Sequence, residues 1–269
     1  MTMPIDFVLV RHGESEGNVA NKRSRAGDHS AFDGEFMQRH SSLWRLTDKG
    51  RQQAIVAGEW IRKNIRPYFD RCYTSEYLRA METAALLNLD QATWYRDFFL
   101  RERSWGQLDV MSQEEKYTKY LDEMNRRERD GFFHAPPGGE CMADVCLRIN
   151  WILNTLHREC SDKRVIIVCH GEVMWSFRVK LERLTQQEYC RLDKSENPYD
   201  KINNCQILHY TRRDPVSGRL EANLNWMRSI CPTDLSKSSN DWQAISRPRF
   251  TNDDLMSEVE RVPRIIHGT

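Results

Sequence analysis

Short, nearly unbroken apolar runs alternate along the chain with longer amphipathic stretches, a pattern that predicts strands and helices in turn. Ile5-Asp6-Phe7-Val8-Leu9-Val10 is rich in β-formers and predicts a central strand buried on both faces, ending at Arg11-His12-Gly13. Residues 21–44 are polar and irregular, which predicts a lid-like loop, since an ordinary connection is far shorter. Thr47 is the expected cap of a helix that carries Ala54, Ala57, Gly58, Ile61 and Ile65 on one face and stops before Pro67. Arg71-Cys72-Tyr73-Thr74 predicts a second strand, Glu76 to Leu87 a helix, and Thr93-Trp94-Tyr95 a short strand. Between 113 and 130 the propensity is helical but charge lies on nearly every side, so a solvated lobe over about 107–135 is expected.

The break at Pro136-Pro137-Gly138-Gly139 precedes Met142, Val145, Cys146, Ile149, Ile152, Leu153 and Leu156, which recur at helical steps. Val165 to Cys169 is the clearest buried strand and ends in His170-Gly171, after which a helix runs through Met174 and Phe177. Thr185-Gln186-Gln187-Glu188 reads as a capping box opening another helix. Cys205 to Tyr210 and the alternating run Leu220 to Trp226 flank the turn formers Asp214 to Gly218 and predict an antiparallel edge hairpin. Residues 231–269 are rich in Ser, Asp and Arg and are expected to form a partly ordered tail with one helix near Asn252–Val259, behind a domain of residues 1–230. Strands alternating with helices give an α/β fold: a doubly wound, mostly parallel sheet with helices on both faces, a helical insertion and the edge hairpin. Such sheets bind ligands beyond the carboxyl ends of their strands, and both strongly buried strands end there in a histidine.

Composition narrows the choice. The 269 residues hold 40 Lys and Arg against 39 Asp and Glu, a net charge of +1, which argues against a nucleic-acid groove or a polybasic membrane surface. No apolar run approaches the length of a membrane span, and Met1-Thr2-Met3-Pro4 lacks the basic start of a secretory leader, so a cytoplasmic protein is expected. The 8 cysteines include no C-x-x-C pair; they are expected to be reduced thiols, with Cys169 and Cys205 in strands and no metal site. Nothing in the pattern specifies an oligomeric state.

His12 sits at a strand end beside Arg11, Gly13 and Asn18. A neutral imidazole beside a guanidinium fork suits attack on phosphorus, although Arg-His-Gly alone equally fits a histidine closing a turn. His170 occupies the same topological position on another strand, so the two imidazoles can share a pocket. Arg79 lies in the first turn of a predicted helix, where the helix dipole gives a cation no reason to be. Glu102, between Arg101 and Arg103, is a candidate acid or a surface ion pair.

Leu9-Val10-Arg11-His12-Gly13-Glu14-Ser15-Glu16-Gly17-Asn18 resembles the first motif of the histidine phosphatase superfamily, which includes the cofactor-dependent phosphoglycerate mutases. Further segments resemble that family's motifs in its own order: Leu46 to Ala54, Ser75-Glu76-Tyr77-Leu78-Arg79-Ala80, Leu100-Arg101-Glu102, Pro137-Gly138-Gly139-Glu140 and Val168-Cys169-His170-Gly171. Gly131-Phe132-Phe133 and Asn204-Cys205 are similar to its plant and fungal phosphoglycerate mutase-like branch. Cys141 stands where the family commonly has serine, Gly17 where cofactor-dependent mutases have tryptophan, and the 21–44 segment and the tail depart from its pattern. The resemblance implies that His12 carries the phosphoryl group and Glu102 acts as general acid and base. It further implies that Arg11, Asn18, Arg79 and His170, with the backbone of Gly171, hold the phosphoryl oxygens, and that no cofactor or metal takes part. The implied function is hydrolysis of a small phosphate ester; a phosphomutase and a non-catalytic phosphate-binding module are the alternatives.

Overall fold

The N-terminal apolar run forms β1 (Asp6–Arg11), whose inner residues are fully buried because helices cover both faces. The computed structural model describes residues 1–266. Its further strands are β2 (Arg71–Ser75), β3 (Trp94–Asp97), β4 (Arg164–Cys169), β5 (Ile207–Thr211), β6 (Trp226–Ile230) and β7 (Ser239–Ala244). Among the described residues they make one sheet in the order β3-β2-β4-β1-β5-β6-β7. The first four run parallel and the last three antiparallel.

The helices are α1 (Glu16–Arg25), α2 (Gly34–Gln38), α3 (Asp48–Asn64), α4 (Leu78–Leu86), α5 (Gln113–Lys119), α6 (Leu121–Arg129), α7 (Met142–Glu159), α8 (Gly171–Glu182), α9 (Gln186–Lys194) and α10 (Asn252–Glu260). The period-two alternation of each strand sorts the core into two layers. Phe7, Leu9, Val165 and Ile167 pack with Met142, Ile149 and Phe177 of α7 and α8. Val8, Val10, Ile166 and Val168 pack with Ala54, Ile61, Ala80 and Ala84 of α3 and α4. The capping box expected at Thr185 and Glu188 opens α9, and Cys141 caps α7 by accepting the Asp144 N–H on its sulfur at 3.4 Å.

Several expectations are corrected. Residues 21–44 are not one irregular loop: α1 continues to Arg25, α2 fills 34–38, and a turn of 3₁₀ helix covers Ser41–Leu43. A capping box of Ser15 and Asn18 launches α1, and Phe36, stacked on Trp44 and met edge-on by Phe32, orders the stretch that leads into α3. The second strand of the hairpin starts at Trp226, not Leu220. Leu220 makes only an isolated antiparallel bridge with Arg213, and the side chains of Arg212 and Arg247 donate to the carbonyls of Glu221 and Leu224 at 2.6 and 2.7 Å. The tail supplies the sheet edge, because β7 pairs with β6, so a boundary at 230 falls inside the sheet. Cys205 precedes β5 in a left-handed conformation, φ 55°, with its N–H donated to the carbonyl of His12 at 3.3 Å.

Candidate active site

β1 and β4 lie side by side in parallel with Arg11 opposite Cys169, so the next residues, His12 and His170, leave the sheet together. The His12 N–H donates to the Cys169 carbonyl at 3.0 Å, and the two imidazole centroids stand 5.1 Å apart. His12 Nδ1 is 2.7 Å from the Gly13 carbonyl, which can only accept, so Nδ1 carries the proton and Nε2 keeps its lone pair. Nε2 accepts from Arg79 Nε at 3.2 Å. Gly13 is required here, because a Cβ on it would stand 2.3 Å from the carbonyl oxygen of Gly50 at the start of α3. Burial, reinforced by the positive charges of Arg79 and Arg11, holds the pKa of both histidines well below 6.5, so both rings are neutral at pH 7.

The remaining predicted residues converge on the same point. Arg79, buried near the start of α4, donates to the Ser41 carbonyl at 2.6 Å and lies over the ring of Tyr77. Arg11 donates one guanidinium nitrogen to the Ile202 carbonyl at 2.6 Å, and its buried Nε has no partner. Ser75 Oγ accepts the Tyr77 N–H at 3.3 Å and lies 2.8 Å from His170 Nε2. If its hydroxyl proton goes to Nε2, the His170 proton sits on Nδ1, a buried atom with no partner. Asn18 accepts from the Ser15 N–H and from Asn204 through Oδ1, at 3.2 and 3.0 Å, which leaves its amide nitrogen free to donate. Gly171 is the first residue of α8, and a Cβ on it would approach Arg11 Nε to 3.5 Å. Glu102 lines the same cavity and accepts the Arg103 N–H at 2.9 Å. Glu14 does not belong here: it bonds Thr47 and Lys49 at 3.1 and 2.9 Å, clamping the start of α3.

Arg11, His12, Asn18, Arg79, Glu102 and Gly171 occupy one end of a cavity of about 620 Å³, and His170, fully buried, packs against His12 without lining it. Its other end overturns the expectation of a purely solvated lobe. Arg127 of α6 lines the cavity and stacks on Trp105, 4.5 Å from the ring centroid, while Arg103 lies at the same distance from that ring. Lys116 of α5 lines it too, and burial together with the charges of Arg127 and Arg25 pulls its pKa down to about 8. Glu172 is pushed up to about 7 by burial and by the carboxylates of Glu102 and Asp193, against Arg103 and Arg127. Sequence reasoning missed Lys116, Glu172 and Trp44 as cavity residues and Ser75 as the partner of His170, and it read Arg126-Arg127, able to hold a substrate carboxylate, as a solvated face, whereas Arg127 lines the cavity. Ser75 had a signal, as the first residue of the segment that ends in Arg79-Ala80. Among the described residues no group of three or more His, Cys, Asp or Glu side chains could hold a metal ion, all eight cysteines are unpaired, and no helix is long and apolar enough to cross a membrane.

A parallel sheet whose adjacent strands end in two neutral histidines, with buried arginines closing over them, defines an α/β protein of the phosphoglycerate mutase-like fold. The model of the histidine phosphatase superfamily, branch 1, matches residues 7–211, and the chain belongs to that family. It is 30% identical over 191 residues to a 2,3-bisphosphoglycerate-dependent phosphoglycerate mutase of Methylobacterium radiotolerans, covering 68% of this chain and 81% of that one. To the protein of the same name from Cytophaga hutchinsonii it is 31% identical over 197 residues, 71% of this chain and 83% of that one. Among solved structures it resembles mycobacterial glucosyl-3-phosphoglycerate phosphatase in complex with VO3, with a TM-score of 0.59 at 21% identity over 76% and 92% of the two chains. It also resembles a putative α-ribazole-5′-phosphate phosphatase from Escherichia coli, with a TM-score of 0.61 at 17% identity over 82% and 96%.

Proposed function

We propose that the protein is a phosphatase that hydrolyses a small phosphate monoester through a phosphohistidine on His12. The observation that carries this reading is His12 Nε2, a deprotonated nitrogen at the closed end of a polar cavity, fixed by Nδ1–H on Gly13 and by Arg79. The Nε2 lone pair attacks phosphorus, the P–O bond to the alcohol breaks, and Glu102 gives its proton to the departing oxygen. Water then attacks the phosphohistidine, Glu102 takes back a proton, the P–N bond breaks, and inorganic phosphate leaves a neutral imidazole. Arg11, Arg79, Asn18, the Nδ1–H of His170 and the backbone N–H of Gly171 carry the charge on the transferring group, so electrostatic stabilisation comes from side chains and a helix N-terminus. The unpartnered nitrogens of Arg11 and His170 support the reading, since buried donors without acceptors are rare and an oxyanion would satisfy both.

A phosphomutase is the second reading, favoured by Arg127 and Lys116, which could hold a second acidic group of the substrate, and by the names of the curated relatives. Hydrolysis is preferred because the cavity is larger than a phosphoglycerate, leaving room for water, and because Trp44 fills the space over Gly17, where a Cβ would come within 2.2 Å of the indole. Solved neighbours named as phosphatases agree with it.

The deciding experiment assays 3-phosphoglycerate with and without a bisphosphoglycerate primer, in excess chelator, while trapping acid-labile phosphate on the protein. Phosphate release with labelled His12 is expected. Primer-dependent isomerisation would establish the mutase, absence of any phosphoenzyme or turnover with 3-phosphoglycerate and across a panel of phosphate esters the binding module, and loss of activity restored by magnesium would overturn the metal-free chemistry.

A further inference from the structure

Glu172 lines the same cavity as Glu102 and Arg127, and ester hydrolysis by His12 and Glu102 leaves it without a task. It lies in the first turn of α8, two residues after His170, and shares the cavity lining with Arg11 and Arg103. Its Oε2 accepts the hydroxyl of Tyr189 at 3.3 Å and lies 3.9 Å from the Arg103 guanidinium. Its Oε1 makes no hydrogen bond among the described residues, and the side chain keeps 23% of its surface exposed, toward the cavity. The charges that face it come from three other elements: Glu102 and Arg103 after β3, Arg127 of α6 and Asp193 of α9. Two carboxylates, Glu102 and Asp193, act with burial to raise the Glu172 pKa against the guanidinium groups around it, and burial is the largest influence.

We propose, building on the ester-hydrolysis reading, that Glu172 is a specificity-determining residue that reads the first oxygen of the alcohol part of the substrate, beside the phosphoryl site. In its acid form Oε1–H donates to an oxygen that can only accept, such as a ketone. In its ionised form the same oxygen repels a carbonyl and accepts from a hydroxyl. The acid form can donate to either a carbonyl or a hydroxyl oxygen and tolerates both, so the protein's relative preference shifts toward the hydroxy ester as pH rises. The shift centres near neutrality, because burial holds the Glu172 carboxyl at about 7. Glutamine at this position presents a donor and an acceptor at every pH and has nothing to titrate.

The test compares dihydroxyacetone phosphate with glycerol 3-phosphate, which differ only in carbonyl against carbinol at that position. The ratio of their KM values is measured from pH 5.5 to 8.5 for the native protein and for Glu172→Gln. The native ratio should change about tenfold in favour of glycerol 3-phosphate across this range, and the Glu172→Gln ratio should stay flat. A general loss of activity cancels in the ratio, so impaired folding or catalysis cannot mimic the result. A native ratio independent of pH, or a pH-dependent ratio that survives Glu172→Gln, would overturn the proposal. Should neither ester be turned over, the same ratio is read from Kd values measured by calorimetry, which separates failure of the hydrolytic reading from failure of this one.

Discussion

At the inner end of the cavity the functional groups come from the ends of buried strands and the start of α4 and are held by backbone: His12 by Gly13 and Cys169, Arg11 by Ile202, Arg79 by Ser41. At the outer end Lys116, Arg127 and Arg25 project from short surface helices, and no ion pair to a carboxylate holds any of them among the described residues. The inner groups have their geometry set before substrate arrives, which suits transition-state stabilisation. The outer groups, Arg127 stacked on Trp105 and Lys116 partly buried, have no ion-pair partner among the described residues, which suits recognition of whatever anion the substrate carries. Substitutions at the two ends should therefore fail differently: inner ones in kcat for every ester, outer ones in KM for particular esters.

The largest expected effect separates Glu102 from the cationic groups around it. A general acid matters in proportion to how poor the leaving group is, and such catalysis contributes about 10² to 10⁴ in rate. Glu102→Gln should lose most of that range on glycerol 3-phosphate and far less on p-nitrophenyl phosphate, where the phenolate leaves unaided. Pre-steady-state release of nitrophenolate should show a burst followed by slow turnover, because the same carboxyl activates the resolving water. Equal impairment on both esters without a burst would remove Glu102 from the acid role and make Glu172, the other carboxyl beside Arg11, the next to test.

A smaller effect is expected at the outer end. A charge-assisted hydrogen bond is worth about 1.5–3 kcal/mol, so Arg127→Ala should raise KM for 3-phosphoglycerate roughly tenfold or more. Phenyl phosphate, which has no second acid group, should change by less than about twofold. The paired KM values check this directly, and an equal rise for both would mean that Arg127 only supports Trp105. Shortening the segment between α1 and α3 at Asp28–Gln38 probes the same end: it should alter preference among esters more than turnover of p-nitrophenyl phosphate.

The contrast between the ends also explains what could be read from the chain before its structure. The inner end was legible because two unbroken apolar runs can only be buried strands, and a histidine directly after each has one place to go. Arg79 was legible for a related reason, a cation at a helix start with no local purpose. The outer end was not, because periodicity distinguishes apolar from polar faces and cannot tell solvent from a polar cavity. Arg126 and Arg127 are adjacent, yet Arg126 pairs with Glu123 at 3.0 Å on the surface while Arg127 turns inward onto Trp105. β7 escaped notice for another reason: Ser-Asn-Asp-Trp-Gln-Ala is a polar edge strand paired on one side only, and Trp242 is held by His209 and Arg228 rather than by any apolar pattern.

The two ends should also leave opposite marks on stability against pH, a milder effect than those on catalysis. His12 and His170 are held neutral, with pKa values well below 6.5. As pH falls below 6.5 the unfolded chain takes up protons that the folded protein refuses, so each histidine costs about 1.4 kcal/mol per pH unit until its own folded pKa is reached. His209, lowered mainly by burial, acts in the same sense. Glu172 opposes them: its pKa is raised from 4.5 to about 7, so it favours the folded state below 4.5 and loses that contribution as pH rises to about 7. Two strongly shifted histidines against one glutamate leave stability falling with acid between pH 6.5 and 5. At the outer end Lys116, lowered from 10.5 to about 8, penalises folding below that value and releases the penalty only as pH rises through 8 toward 10.5. Denaturant titrations from pH 5 to 9 should thus show an acid limb that His170→Gln flattens by about one proton. Above pH 8 the buried thiols of Cys72, Cys146, Cys169 and Cys205, raised above 9, favour the unfolded chain and oppose Lys116, so Lys116→Met should steepen the alkaline fall in stability while His170→Gln leaves it alone. A slope below pH 6.5 unchanged by His170→Gln would mean that the ring is protonated in the folded protein. That outcome would undo the neutral tautomer from which its Nδ1–H donor role was argued.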